Sequence, residues 1–244
     1  MTDQTPPPIE RVMALFAHPD DPEFFAGGLL AKLGSEGKRL IYVLVTSGDK
    51  GSADPAMTGE RLIGIREAEQ RAAASVAGAK PDDVIFLRVP DGSLIPDLAL
   101  RKALTRVIRQ WKPDVLITND PMTRWSRFGG VNHPDHIAIG HAALDAVYPT
   151  ARDRLNFPEL ISEEGLETHK VRYVYLAGSL EPNVKVDITT VLDRKLTAIK
   201  SHKSQVQDPD GMDKRQREGR DPDYPDYLGD GPRYTESYKV LRLG

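Results

Sequence analysis

Two four-residue stretches carry most of the chemistry open to this chain: His18-Pro19-Asp20-Asp21 and His133-Pro134-Asp135-His136. Each pairs imidazole with carboxylate, and together they hold three of the chain's six histidines. Imidazole and carboxylate without thiolate suit zinc, and also iron or manganese. A catalytic zinc usually keeps three protein ligands and an open position for water. His18, Asp21 and His136 supply such a set of two histidines and one carboxylate. Asp20, His133 and Asp135 are then left for proton transfer and orientation, the second requirement of metal-assisted hydrolysis. Taken singly, each stretch has a plainer explanation. Asp21 followed by Pro22 is a good helix start, and a lone histidine is usually structural. The case for a site therefore rests on convergence, which depends on the elements that carry the two stretches.

Short apolar runs of the kind needed by strands buried on both faces occur at 11–17, 40–45, 84–87, 115–117 and 171–176. Helical patterns lie between them at 22–34, 58–78 and 97–111. A further helix begins at Pro134 and runs past His141, and another spans 189–203, with Leu192, Leu196 and Ile199 at apolar spacing. This alternation predicts an α/β fold: Rossmann-like, with a mainly parallel sheet, helices on both faces, and one domain over 11–244. In such a sheet all strand-to-helix turns lie on one edge, so the two stretches can meet although more than a hundred residues separate them. His133 and His136, three apart at a helix start, project to one side of it. The pair Gly27-Gly28 inside a helix points to close packing, expected against the sheet.

Composition narrows the function classes. With 33 Lys and Arg against 36 Asp and Glu, the formal charge is −3, which argues against a nucleic-acid binder. The absence of cysteine excludes disulfides, cysteine-ligated zinc, iron–sulfur clusters and a thiol nucleophile. No apolar run approaches the roughly 18 residues of a membrane span. Residues 1–10 are polar and proline-rich, read as a flexible leader without a secretory core. The expectation is a soluble cytoplasmic protein acting on a small molecule, with no nucleic-acid or membrane partner and a homo-oligomer left open. Residues 206–233, rich in Asp, Pro, Gly, Arg and Tyr, read as a long loop serving as a cover or an interface segment.

The two His/Asp stretches, in this order and after successive predicted strands, resemble the LmbE-like/PIG-L family of zinc-dependent de-N-acetylases, which act mostly on N-acetylglucosamine-containing molecules. Supporting similarities are Thr46-Ser-Gly-Asp-Lys-Gly51, Arg66-Glu67, Pro90-Asp-Gly-Ser-Leu94, Ser201-His-Lys-Ser-Gln205 and Tyr234-Thr-Glu-Ser-Tyr238. One departure is visible: the family often has Glu directly after the second Asp, whereas here Pro22 intervenes before Glu23. The resemblance implies one zinc per chain at His18, Asp21 and His136, with Fe2+ or Mn2+ as alternatives. It further implies Asp20 as general base, His133 as general acid or oxyanion stabiliser, and Asp135 as the group that orients His133. Arg66 and Asp91, a guanidinium fork and a carboxylate, suit sugar hydroxyls or an anionic aglycone of an amino-sugar substrate, and the resemblance adds His202 to the substrate-binding set. From the residues alone, Arg66 suits a helix-surface ion pair equally well, Asp91 a Pro-Asp-Gly turn, and His202 the end of a helix. An amidase for larger thiol or sugar conjugates, a non-haem iron enzyme and a non-catalytic sugar-binding module are the competing readings.

Overall fold

The computed structural model of the chain describes residues 8–125, 130–219, 221 and 233–243. Five parallel strands form the centre: β1 (Arg11–Phe16), β2 (Arg39–Thr46), β3 (Val84–Val89), β4 (Val115–Asn119) and β5 (Tyr173–Ala177). Their connections hold α1 (Asp21–Ser35), α2 (Gly59–Ala77), α3 (Leu98–Trp111), α4 (Pro134–Asp145) and the short α5 (Glu159–Ser162). The remainder adds β6 (Val184–Asp187), α6 (Leu192–Lys200), α7 (Pro209–Glu218) and β7 (Thr235–Arg242). The sheet order is β3-β2-β1-β4-β5-β7-β6, with β7 antiparallel to both neighbours. The α/β expectation holds, with two antiparallel strands at one edge.

Burial follows from the two-residue period of a strand. Val12, Ala14 and Phe16 of β1 face one layer with Tyr42, Leu30 and Ala74, under α1 and α2. Met13 and Leu15 face the other layer with Val43, Leu104, Ile108 and Ile139, under α3 and α4. Both faces are covered, so the central strands can be apolar throughout. A third cluster seats Leu192, Leu196 and Ile199 of α6, with Ile188 and Met212, against Ala31 of α1. Among the described residues no helix is long and apolar enough to cross a membrane.

Two segments differ from the sequence reading. Part of the stretch 206–233 is α7, whose first turn is capped by the Asp208 side chain accepting from Gly211 N. It buries only Met212, so its sequence carries no apolar stripe from which a helix could be read. Residues 222–232, with Tyr224 and Tyr227, lie outside the described residues, as do 1–7 of the leader. The closest approaches to Gly27-Gly28 come from Ile188 and from Lys195 of α6, outside the strands, with β7 of the sheet bonded to the same stretch. A Cβ at Gly28 would lie 2.5 Å from Ile188 Cγ2, and one at Gly27 3.0 Å from Lys195 Cγ. The backbone N–H groups of Gly28 and Leu29 also donate to the Glu236 carboxylate of β7, each at 2.8 Å.

The sheet order reverses between β1 and β4, and the crevice beyond the carboxyl ends of strands at such a reversal is where open α/β sheets bind ligands. The chain leaves β1 into His18 and leaves β4 towards His133. Helix α4 reaches the crevice because Gly140 lets it lie against the end of β4. A Cβ there would lie 2.6 Å from Asn119 O and 2.9 Å from Pro121 N. Backbone atoms cannot rotate aside, so Gly140→Ala must displace the helix. Overpacking of about 1–3 kcal/mol opposes a helix-propensity gain of about 1 kcal/mol. Because the contacts are to backbone, the overpacking cost belongs at about 2–3 kcal/mol, leaving a net destabilisation of about 1–2 kcal/mol to be read from urea unfolding midpoints; an unchanged midpoint would show that the helix relaxes freely.

Candidate metal centre

The turn from β1 into α1 is built on an unusual residue. Asp20 has φ +97°, in the left-handed region that Asp and Asn tolerate better than other side chains. Its carbonyl accepts the first helical bonds from Glu23 N and Phe24 N, both at 3.1 Å. Pro22 follows in the first turn, where a missing N–H costs nothing. The turn leaves Asp21 buried beneath His18, whose own backbone N–H donates to Asp21 Oδ2 at 2.8 Å.

His18, Asp21 and His136 converge. His18 Nδ1 lies 3.3 Å from Asp21 Oδ2, and His136 Nε2 lies 3.1 Å from Asp21 Oδ1. The outward nitrogens are engaged elsewhere. His18 Nε2 meets Asp91 Oδ1 at 3.0 Å and Asp135 Oδ2 at 3.5 Å, while His136 Nδ1 meets Asn132 Oδ1 at 3.1 Å. Asn132 is itself held by Nδ2 donating to Thr123 O at 2.7 Å. Partners of this kind fix the ring orientation of metal-binding histidines. Tetrahedral zinc with bonds of about 2.0–2.1 Å separates its ligand atoms by roughly 3.3 Å, close to the spacing observed.

The electrostatics favour a cation at the same place. Burial works to lower the pKa of His18, but the charge of Asp21 and hydrogen bonds to Asp135, Asp21 and Asp91 push it up to about 12. Burial opposes ionisation of Asp21, yet His136 and His18 hold its carboxyl far below the usual range. The carboxylates of Asp21, Asp91 and Asp135 around His18 thus favour positive charge at this position. A second grouping, His18 with His133 and Asp135, is also close enough to share an ion. It fits less well, because Asp135 already accepts from Gly92 N and Leu94 N, at 2.8 and 3.2 Å, and His133 Nδ1 accepts from Asp135 N at 3.2 Å.

That last bond places the proton of a neutral His133 on Nε2, free to donate. Burial and the charge of His18 lower its pKa, favouring the neutral ring. The ring stands edge-on to His18 with centroids 4.6 Å apart. Asp20 lies on the other flank. Its backbone N–H donates to Gln70 Oε1 at 2.9 Å, and Oδ2 accepts from Arg66 at 3.1 Å. Burial, reinforced by the charge of Asp21 and opposed by Arg66, raises its pKa to about 7.

Four of these side chains are placed by contacts within the site. Arg66 is buried, and its guanidinium donates to Pro19 O, Gly48 O and Asp20, so it braces the site turn and does not form a surface ion pair. The fit is tight enough that a Cβ at Gly48, which has φ +65°, would lie 2.1 Å from that guanidinium. Asp91 is turned onto His18 instead of towards an open surface. His202 is fully buried, with Nε2 3.0 Å from Glu23 Oε2. Asp135 meets His133 through its backbone N–H, while its carboxylate joins α4 to the loop after β3. Gln70, Glu23 and Asn132 were not singled out for these positioning roles. Gln70 donates to both oxygens of Glu23 at 3.0 and 3.1 Å, linking Asp20 to the buried Glu23–His202 pair. Only the presence of Glu23 near the first motif hinted at this.

Because Asp91 orients His18, Asp91→Ala is expected to weaken metal affinity by about 10–100-fold. Competition against a chromophoric chelator measures this, and wild-type affinity would remove Asp91 from the orienting role.

A family model described as PIG-L, GlcNAc-PI de-N-acetylase, matches residues 13–147, which contain both His/Asp stretches. The chain is 32% identical over 197 residues to the diacetylchitobiose deacetylase of Thermococcus kodakarensis, covering 81% of this chain and 70% of that one. It is 31% identical over 215 residues to the mycothiol S-conjugate amidase of Streptomyces coelicolor, covering 80% and 69% respectively. Among solved structures, the N,N′-diacetylchitobiose deacetylase of Pyrococcus horikoshii, complexed with an inhibitor, aligns with a TM-score of 0.81 at 28% identity. That alignment covers 96% of this chain and 84% of the other.

Proposed function

The chain belongs to the PIG-L family of GlcNAc-PI de-N-acetylases, and we propose on that premise that it is a zinc-dependent hydrolase removing an N-acetyl group from an N-acetylglucosamine-type sugar or conjugate. The observation that carries this reading is the convergence of two inward imidazole nitrogens on the two oxygens of Asp21, with every outward nitrogen already held.

His18, Asp21 and His136 would hold the ion. Bound there, zinc supplies a water whose pKa is lowered towards about 7 and a Lewis acid for the amide carbonyl. Asp20, next in sequence to a ligand and braced by Arg66 and Gln70, takes the proton of the attacking water. His133, with its Nε2 proton directed outward from the Asp135 bond, donates to the oxyanion as the carbonyl becomes tetrahedral. The C–N bond then breaks, the proton held by Asp20 passes to the departing amine, and acetate remains. One water is consumed for each amide cut.

The test is acetate release by zinc-loaded protein from N-acetylglucosamine-type substrates, alongside a thiol-conjugate amide. The second substrate is included because the amidase relative is nearly as similar as the first deacetylase. Turnover should be abolished by a chelator and restored by zinc. Stoichiometric iron with oxygen consumption, and no acetate, would replace the hydrolase reading with an oxygenase.

A further inference from the structure

The segment Ser201-His-Lys-Ser-Gln205 takes no part in the catalytic steps, yet it is tied to the elements that carry Asp20. His202 meets Glu23 of α1, and Ser204 gives both its N–H and its hydroxyl to Glu69 of α2, at 2.8 and 2.6 Å. Between them lies Gln70, fully buried.

Helix α2 grips the turn at both poles of a single peptide group. Arg66 donates to Pro19 O at 2.5 Å, and Gln70 accepts from Asp20 N at 2.9 Å. Side chains four apart share one face of a helix, so these two reach the carbonyl and the N–H of the same Pro19–Asp20 unit. The orientation of that unit sets φ of Asp20. At +97° the residue lies in a region that persists only where its surroundings over-determine it. Arg66 also holds Asp20 Oδ2 at 3.1 Å, so the backbone and the carboxylate are fixed from one element.

Gln70 accepts from Asp20 only while its amide faces one way. Its Nε2 donates to Glu23 Oε1 and Oε2, at 3.0 and 3.1 Å. Turned over, it would set its oxygen against the carboxylate and its NH2 against the Asp20 N–H. Both mismatches would fall where Gln70 is 0% and Glu23 1% exposed, and buried groups without partners are costly. The carboxylate at 23 therefore dictates the amide at 70, and His202 anchors that carboxylate at 3.0 Å.

We propose that Gln70 and Glu23 are positioning residues for the reaction. Glu23 locks the polarity of the Gln70 amide, and the locked amide, with Arg66, clamps the Pro19–Asp20 peptide so that the Asp20 carboxylate stays aimed at the attacking water. The inference rests on reading Asp20 as the general base, and it assigns work to two side chains that touch neither substrate nor ion.

Three variants test it in the zinc-loaded protein: Gln70→Met, Gln70→Glu and the swap Glu23→Gln/Gln70→Glu. Methionine is of similar length and removes the acceptor. Misplacing a reacting group by about 1 Å can cost about 100-fold, so kcat for acetate release should fall about 10–100-fold in Gln70→Met. KM and zinc content should not change. Gln70→Glu sets two carboxylates face to face and should lose at least as much. The swap keeps one carboxylate and one amide in reversed order. The carboxylate now at position 70 accepts from Asp20 N, while the amide now at position 23 donates to it and accepts from His202. Coupling of this kind should return kcat by about tenfold or more over Gln70→Glu. Hydrogen exchange of the Asp20 amide, followed by NMR, reads the clamp without turnover. It should quicken by about tenfold or more in Gln70→Met and slow again in the swap. Wild-type kcat in Gln70→Met, zinc lost in step with activity, or a swap no better than Gln70→Glu overturns the clamp. If Gln70→Glu does not fold, the swap is judged against Gln70→Met. If the wild type releases no acetate, or Asp20→Asn keeps its kcat, the reading beneath fails separately and hydrogen exchange decides. Equal exchange in Gln70→Met and wild type then overturns the clamp, and faster exchange reversed by the swap supports it.

Discussion

Replacing Asp20 with asparagine is expected to lower kcat by about 10²–10⁴-fold, the usual contribution of a positioned proton acceptor, while leaving metal content unchanged. That is about 3–5 kcal/mol of barrier from one substituted atom. The substitution is clean for structural reasons. Asparagine tolerates the positive φ at this position, its backbone N–H can still reach Gln70, and its amide oxygen can still accept from Arg66. It cannot accept a proton from water at neutral pH. Steady-state kinetics beside elemental mass spectrometry separates the outcomes. Wild-type kcat with full metal would falsify the general-base role; loss of metal would show that Asp20 acts on the ligand cluster.

The second large effect is expected from His136→Ala. Wild-type protein purified without added metal should carry about one zinc per chain, and the variant should carry almost none and have no measurable turnover. The loss should not unfold the chain, because Ile139, Ala142 and Ala143 anchor α4 in the core one turn or more further on. His18 is a poorer choice, since removing it would leave Asp91 and Asp135 without the imidazole they share. Thermal melting supplies a readout independent of catalysis. An ion that binds only the folded chain stabilises it by about 4 kcal/mol at a thousandfold excess over Kd. Added zinc should therefore raise the wild-type melting temperature and leave the variant unmoved. Equal shifts would place the ion elsewhere.

Much of this molecule could be read from local patterns, because its central strands and helices are local in origin. The apolar run at 40–45 becomes β2, and the alanine-rich stretch becomes α2, closed by Gly78 in the left-handed region. The antiparallel edge was harder to see. Val184–Asp187 is four residues long, and Thr235–Arg242 alternates modestly polar with apolar residues in a way a loop can also show. The site divides along the same line. Both His/Asp stretches are compact in sequence and sit where strands meet helices, so their chemistry is visible in type and spacing. The bracing is not. Gln70 lies 50 residues from Asp20, and His202 lies 179 from Glu23, so no spacing rule connects them. Arg66 shows what surroundings add: its guanidinium donates to two carbonyls and to Asp20, contacts that no spacing in the sequence announces.

The Glu236 clasp on the backbone of Gly28 and Leu29 has a consequence for the order in which the protein is made. The ribosome releases the first motif early, yet His136 follows His18 by 118 residues. At about 5–20 residues per second that is a delay of roughly 6–24 s. Helix α1 receives its carboxylate clasp later still, from the last strand. Throughout that interval a nascent chain holds His18 and Asp21 without the third side chain that meets them in the finished fold. The cluster around Asp21 can be assembled only once α4 has been made, and α1 is clasped by β7 only after that.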